Sequence, residues 1–187
     1  MENMRSRKLV AVVFWTLVIS LFLYSNMQAK TAKEIDASVD AAVDRFYKQV
    51  NGAGGLAQKS KAMLVMPNVI KGAFVVGGEY GEGALRISGK TVDYYNLISG
   101  SFGFQIGGEA KDIILLFMNN NVLKKFRESE GWEAGVDGNV ALITVGAGER
   151  VDTKTVNEEI LCFVFDAKGL IADISLKGAK FTKLNKK

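Results

Sequence analysis

The chain has 187 residues, with 24 Lys and Arg against 20 Asp and Glu, so its formal net charge is +4. It contains no histidine and a single cysteine, Cys162. These counts exclude an intramolecular disulfide, a four-cysteine zinc site and every catalytic arrangement that relies on an imidazole. The apolar content of 48% is that of an ordinary globular protein and allows one domain with a real core.

The first 29 residues differ from the rest of the chain. Three basic residues precede an uncharged apolar run, Leu9–Tyr24, and a short polar stretch then leads to Ala29. This order is typical of a secretory signal peptide cleaved after Ala29, and an uncleaved membrane anchor is the alternative. In both cases we expect residues 30–187 to form a periplasmic or secreted domain, membrane-associated if the anchor is kept. Without residues 1–29 the formal charge falls from +4 to +2, which gives no case for nucleic-acid binding.

Three segments have the apolar spacing or the boundaries of helices. From Thr31 to Val50 apolar residues recur at helical spacing, which predicts an amphipathic helix whose apolar face packs on the domain. Its polar face is mixed to acidic, whereas a membrane-surface helix is usually basic. A second, short helix is predicted over Leu56–Leu64, because Pro67 then stops helical structure. A third is predicted over Asn119–Ser129. Its inward-facing residues would be Val122, Leu123 and Phe126.

After Pro67 the sequence becomes rich in Val, Ile, Phe, Tyr and Gly, a composition that predicts strands. The predicted strand regions are Ala73–Glu79, Ala84–Ser88, Thr91–Tyr95, Phe102–Ile106, Asp112–Met118, Trp132–Val145, Glu159–Phe165 and Leu170–Leu176. Asp166–Gly169 is predicted to be the hairpin turn between the last two. Helices followed by strands predict an α+β domain, with amino-terminal helices and a curved, mainly antiparallel, glycine-rich β-sheet.

Gly77, Gly78, Gly81 and Gly83 lie within seven positions. They do not form a phosphate-binding loop, because two glutamates lie between them, no Lys-Ser/Thr pair follows, and the chain continues as a predicted strand. Glycines inside strands mark bulges, bends or close approaches of another group. We therefore predict that these glycines shape a bend in the sheet.

The candidate catalytic groups are few. Glu79, Glu82 and Glu109 could pair as acid and base, which keeps a hydrolase as a minor alternative. Cys162 lies in the apolar run ILCFVF and is predicted to be a buried core residue, since no histidine could activate it. We therefore predict that the protein is not an enzyme and has neither a metal site nor a cofactor.

The carboxy-terminal segment KGAKFTKLNKK, Lys177–Lys187, contains five lysines and no acidic residue. Such a segment suits an anionic surface, at about 1 kcal/mol per well-placed basic residue, and a solvated, frayed end is the alternative. A second cluster of basic and apolar residues surrounds Pro67. The predicted lipid-binding residues are Lys59, Lys61, Lys71, Arg86, Lys177, Lys180, Phe181, Lys183, Lys186 and Lys187.

Several phrases, in this order, resemble the SYLF domain family, in its exported bacterial branch. They are GGEYGEG (Gly77–Gly83), Tyr94-Tyr95, FGFQIGG (Phe102–Gly108), GWEAGVDGNVAL (Gly131–Leu142) and AKGLIADISLKG (Ala167–Gly178). The family is also known from yeast actin-patch proteins. The resemblance implies a non-enzymatic lipid-binding module. Its eukaryotic members bind phosphoinositides and other acidic phospholipids, and some bind actin.

From the residues and the resemblance together we expect a non-enzymatic phospholipid-binding protein of the bacterial cell envelope. It would dock on anionic phospholipid or a membrane surface through basic and apolar surface residues. We expect no nucleic-acid partner, and no actin partner outside the cytoplasm. The alternative is a structural or protein-interaction module of the envelope that uses sheet edges or the aromatic residues Tyr94, Tyr95 and Trp132.

Overall fold

The computed structural model describes residues 30–71, 78–100, 110–143, 158–166, 169–170 and 176–186. Thr31–Lys187 forms a compact unit of its own. The predicted signal segment, the predicted strand Phe102–Ile106, and Gly77, Glu109 and Lys187 lie outside the described residues. Within the described ranges, no helix combines the length and the apolar character needed to cross a membrane.

Helices and strands follow one another largely as the sequence predicts. The elements are helices α1 (Ala32–Gln49) and α2 (Ala53–Lys59), strands β1 (Ala62–Lys71), β2 (Gly78–Ile87), β3 (Lys90–Gly100) and β4 (Lys111–Phe117), helix α3 (Asn120–Glu128), and strands β5 (Trp132–Glu133), β6 (Ala141–Leu142), β7 (Ile160–Asp166), β8 (Gly169–Leu170) and β9 (Lys180–Leu184). The α+β class, with two helices ahead of the first strand, is confirmed.

The strands form one curved sheet in the order β5-β9-β3-β2-β1-β4-β7-β6, and β8 pairs with β7. All of these pairs are antiparallel except β6 with β7. The predicted mainly antiparallel sheet is therefore confirmed. Asp166 and Gly169 pair directly, as expected for the predicted hairpin, whose two middle residues lie outside the described ranges.

Helix α1 begins and packs as its sequence predicts. Thr31 is its N-cap: the Thr31 hydroxyl accepts from the Glu34 N–H (3.3 Å), and the Glu34 carboxylate accepts from the Thr31 N–H (2.7 Å). This reciprocal capping box satisfies two amides that a helix start otherwise leaves unpaired. The apolar face is buried except at Val43, which is partly buried. Its buried residues are Ile35, Val39, Ala42 and Phe46.

The sheet has apolar clusters on both faces. One face packs against α1, where the Phe46 ring lies 5.0 Å from that of Phe163. The other face packs against α3, where the Phe126 ring lies 5.5 Å from that of Trp132. Burial on both faces explains why β4 and β7 are unbroken apolar runs rather than alternating ones. Cys162 is fully buried in β7 and burial raises the pKa of its thiol, so its prediction as a core residue is confirmed.

The predicted boundary of the second helix is wrong. Helix α2 ends at Lys59, and β1 begins at Ala62 and passes through Pro67. A short apolar run has no period that separates a buried helix from a buried strand. Leu64 and Val65 belong to such a run and are completely buried in the sheet.

A β-bulge explains how a proline fits inside β1. Between the pairs Val65–Ala84 and Ile70–Tyr80, residues 66–69 of β1 lie opposite only 81–83 of β2. Asn68 has a φ of 52°, in the left-handed region. The extra residue interrupts the ladder, so the missing N–H of Pro67 costs little there.

Two of the four clustered glycines of β2 face this bulge. A Cβ at Gly83 would overlap the carbonyl oxygen of Val65, and one at Gly81 would lie 2.7 Å from Cγ2 of Val69. The backbones can approach only because these side chains are absent. This confirms the predicted close approach at Gly81 and Gly83.

A buried carboxylate holds the bulge against α1. Asp112, which is 4% exposed, accepts from the backbone N–H of Asn68 through Oδ1 (2.9 Å). Its Oδ2 accepts from Nε (2.7 Å) and Nη2 (2.6 Å) of Arg45 on α1. One side chain of β4 thereby connects the first helix with the irregular part of β1.

Candidate functional site

Seven of the ten residues predicted to bind lipid lie toward one of two opposite ends of the sheet. We call the end that carries Ile98 and Lys180 the apolar end, because exposed apolar residues are aligned there. We call the opposite end, at the Ser88-Gly89 turn between β2 and β3, the basic end. Lys177, Lys180 and the backbone of Lys71 lie toward the apolar end. Lys59, Lys61, Arg86 and Lys183 lie toward the basic end.

Three large apolar side chains form a line across adjacent strands at the apolar end. Ile70 of β1 pairs with Tyr80 of β2, which pairs with Ile98 of β3, and Ile98 pairs with Lys180 of β9. Directly opposite residues share a face of the sheet, so these side chains are neighbours. Ile70 is 49% exposed, Tyr80 44% and Ile98 55%. We call Ile70, Tyr80 and Ile98 the apolar row; exposed Lys180 lies at one end of it.

Helix α1 shares the face of the apolar row but does not cover it. Its Asp36 carboxylate accepts from the hydroxyls of Thr91 (2.7 Å) and Tyr94 (2.8 Å), and Asp40 pairs with Arg86 (2.7 Å). These contacts hold the start of α1 over the basic end of β2 and β3. The row at the other end of the same strands remains accessible.

The carboxylate next to the row is neutralised inside the protein. Glu82 follows Tyr80 on the same face, is 5% exposed and accepts from the Tyr80 hydroxyl (2.8 Å). Nζ of Lys186, from the carboxy-terminal segment, lies 3.2 Å from its other oxygen. Burial, helped by the hydrogen bond to Glu82 and its charge, raises the pKa of Tyr80 to about 12. The row therefore has no uncompensated carboxylate at this position.

Glu79 and Glu82 do not form a catalytic pair. They are an odd number of positions apart on β2, so their side chains leave opposite faces of the sheet. Glu79 pairs with Lys111 (2.7 Å), whereas Glu82 pairs with Lys186 (3.2 Å). Glu109 lies outside the described residues. Among the residues with a defined placement, each of these carboxylates has its own lysine.

The carboxy-terminal segment is a strand rather than a frayed end. Lys180–Leu184 forms β9, which pairs with both β3 and β5. Phe181 corrects the predicted site: it is 1% exposed and its ring lies 5.9 Å from that of Trp132, so it belongs to the core and is not on the surface. Lys177 and Lys180 are exposed, and Lys186 is turned inward onto Glu82. The side chains of Lys71 and Lys187 are not among the described parts.

At the basic end, Lys59 and Lys61 are exposed, next to the start of β1. Arg86 is different, because its side chain is only 15% exposed and its Nη2 lies 2.7 Å from Asp40. This side chain is therefore held inside the protein and is not part of the exposed basic surface. The aromatic residues suggested for protein interaction are not exposed either: Tyr95 and Trp132 are each 1% exposed, and Tyr94 is bonded to Asp36.

A groove between α3 and β9 is lined by basic side chains, only some of which were predicted from the sequence. Its volume is about 490 Å³, and it is lined by Asn120, Leu123, Lys124, Arg127, Glu128 and Lys183. Lys183 was a predicted site residue, whereas Lys124 and Arg127 were missed. The signal was available, because these two are three positions apart on a helix whose apolar residues were correctly assigned to the inward face. The sequence offered no way to place Lys183 beside them.

Residues 98–187 match the family model Ysc84, described as Las17-binding protein actin regulator. Ysc84 is a SYLF domain model, so residues 98–187 are similar to the SYLF family. SYLF domains are lipid-binding, related to actin regulators and non-enzymatic. The matched segment begins at Ile98 of the apolar row and contains the groove between α3 and β9. No curated protein matches the chain.

Proposed function

We propose that this protein is a non-enzymatic phospholipid-binding protein of the bacterial cell envelope that docks on anionic bilayers at its apolar end. The observation that carries the proposal is the alignment of Ile70, Tyr80 and Ile98. They are three of the six large apolar side chains that are exposed among the described residues, and they lie directly opposite one another. A row of this kind, with a lysine beside it, suits a bilayer that has an apolar interior and negatively charged headgroups.

The chemistry of each side chain fits a different depth of a bilayer. Transfer of isoleucine side chains out of water lowers the free energy. Tyrosine is favoured at an interface, where one end of its side chain is in apolar surroundings and the other is in contact with water. Exposed Lys180 adds an attraction to acidic lipid of about 1 kcal/mol. Glu82, the carboxylate next to the row, is already paired with Lys186, so docking does not bring it unpaired against the anionic lipid.

The envelope location rests on the amino-terminal segment. Its basic start, apolar run and small residue at position 29 have the order of an export signal. A protein exported in this way does not meet cytoplasmic actin, so we do not propose the Las17-binding or actin-regulating activity of the family description for this chain. Fusion of residues 1–29 to a reporter that is active only after export tests the location, and a reporter that stays inactive would contradict it.

The docking proposal is tested with residues 30–187 and vesicles of phosphatidylglycerol and phosphatidylcholine. Ile98→Ser removes a side chain of the row, and Val92→Ser is its matched control, because Val92 is on the same strand and 41% exposed. We expect Ile98→Ser to weaken co-sedimentation several-fold and Val92→Ser to leave it unchanged. Absence of binding by the unmodified segment at low salt would refute the function. Equal binding by both variants would refute the row as the docking surface.

A further inference from the structure

We propose that the groove between α3 and β9 is a binding site for a phosphate group carried by an organic ester, separate from the bilayer contact at the apolar row. The proposal stands independently of the proposed docking function. Two different elements supply its cations: Lys124 and Arg127 come from α3, and Lys183 comes from β9. The shape and the charge of the groove both argue for such a ligand.

One partly buried carboxylate fixes two of the cations in place. Asp93, whose side chain is 9% exposed, accepts from Nε of Arg127 (2.9 Å) and lies 2.5 Å from Nζ of Lys183. Two positive groups share one negative group, so a positive charge remains. Asp93 engages only Nε of Arg127, and the two terminal nitrogens make no hydrogen bond with any residue that the structure describes. A guanidinium held in this way can offer its paired terminal nitrogens to two oxygens of one phosphate.

The third cation is held loosely. Nζ of Lys124 lies 3.9 Å from Glu128, and the two side chains are 71% and 65% exposed. An exposed pair at this distance contributes little, so a phosphate competes with Glu128 for the lysine at small cost. Asn120, the first residue of α3, adds an amide where the positive end of the helix dipole lies.

The groove also has room and an apolar wall. Its volume of about 490 Å³ falls within the range of roughly 300–1,000 Å³ that is typical of small-molecule sites. Leu123, which is 8% exposed, provides an apolar surface beside the cations. This combination suits a phosphate attached to a short organic group better than a bare inorganic anion.

The groove lies apart from the apolar row. Asp93 and Ile98 are five positions apart on β3, or about 17 Å along the strand. The side chain of Asp93 is on the α3 face, and that of Ile98 is on the α1 face, as the odd spacing requires. A bilayer in contact with the row therefore leaves the groove open to solution.

The test is a titration of the full chain with inorganic phosphate, glycerol 3-phosphate, or vesicles containing phosphatidic acid, with sodium chloride at matched ionic strength as reference. The readout is the nuclear magnetic resonance signal of the Arg127 Nε–H group, identified by its loss in Arg127→Lys. A saturable shift with the soluble phosphates assigns the groove to soluble ligands. A shift with the vesicles alone assigns it to lipid headgroups. Shifts no larger than those caused by chloride in all three titrations would overturn the proposal.

Variants separate the groove from general charge effects. Lys183→Gln should weaken the phosphate response about fivefold, and Lys125→Gln should not, because Lys125 is on the same helix but does not line the groove. Ile98→Ser should bind phosphate like the unmodified chain even where it loses vesicle binding. Equal weakening by Lys183→Gln and Lys125→Gln would show attraction by net charge only and would overturn the site.

Discussion

The two ends of the sheet present different surfaces, although both contain ion pairs. At the apolar end the carboxylate of Glu82 is buried and paired, and exposed surface is formed by isoleucine and tyrosine. Toward the basic end Arg86 and Lys183 are paired with Asp40 and Asp93, and Lys183 lines a groove together with Lys124 and Arg127. A lysine-rich sequence therefore produces two different surfaces. The difference depends on which carboxylate each cation meets, and a count of basic residues does not reveal it.

The largest expected effect comes from removing the carboxylate that holds the bulge near the apolar end. Asp112→Ala leaves Arg45 and the Asn68 N–H without their partner. We expect a loss of about 3 kcal/mol in the free energy of unfolding, at the lower limit for a broken buried pair because Arg45 is partly exposed. Urea unfolding measures this loss. The control is Asp44→Ala, which removes an exposed carboxylate next to Arg45 on α1. Similar losses in both variants would show that the network does not hold the bulge.

The close approach at the bulge gives the next largest effect. Gly83→Ala places a methyl group against the Val65 carbonyl oxygen, so we expect a destabilisation of about 1–3 kcal/mol. Gly54→Ala is the control, because a Cβ there meets nothing within 4 Å and alanine favours the helix by up to about 1 kcal/mol. Thermal unfolding should therefore shift in opposite directions for the two variants. A shift in the same direction would contradict the close contact.

One exposed lysine at each end of the sheet allows the contributions of the two ends to vesicle binding to be compared directly. Lys180 ends the apolar row, whereas exposed Lys90 is next to the turn at the basic end. Lys180→Gln should weaken binding to anionic vesicles about fivefold, and Lys90→Gln should change it little. Co-sedimentation at two salt concentrations measures both. The opposite ranking would place the bilayer at the basic end.

The smallest expected effect is a change in how the free energy of unfolding depends on alkaline pH, caused by Tyr80 of the apolar row. The folded protein holds the Tyr80 proton more tightly than the unfolded chain does, since burial and Glu82 raise the pKa from 10.0 to about 12. The stabilisation is complete below pH 10 and is lost as the pH rises from about 10 to 12. Tyr80→Phe should lose less stability than the unmodified protein between pH 9 and 11 in urea unfolding. Some loss should persist, because burial also raises the pKa of Tyr95 to about 12. An unchanged loss would contradict the role of Tyr80.

Elements with a clear period or a specific cap could be predicted from the sequence. Thr31 and Glu34 define the start of α1, and the inward face of α3 follows from helical spacing. The start of β1 could not be predicted, since a strand buried on both faces has no alternation to reveal it. Phe181 was misplaced for a related reason. In the sequence it is an apolar residue among lysines, and only the pairing of β9 with β3 and β5 turns it into the core.

The candidate surfaces depended on contacts between distant segments. Ile70, Tyr80 and Ile98 come together through strand register, and the register depends on a bulge that the glycines permitted but did not locate. Lys183 meets Arg127 through their common contact with Asp93. Such convergence is a property of the folded topology. Local spacing could propose basic and apolar residues, but it could not choose between those that are exposed and those that are paired or buried.

The bulge in β1 also reverses the alternation of side chains between the two faces of the sheet. Side chains alternate along a strand, so one additional residue reverses which face every later side chain meets. With residues 66–69 opposite 81–83, Val69 enters the core and Ile70 reaches the surface beside Tyr80. Deletion of one residue from this stretch would exchange the two, with the composition of the strand almost unaltered. The chemistry of the exposed surface is thus encoded by the length of a segment as much as by its amino acids.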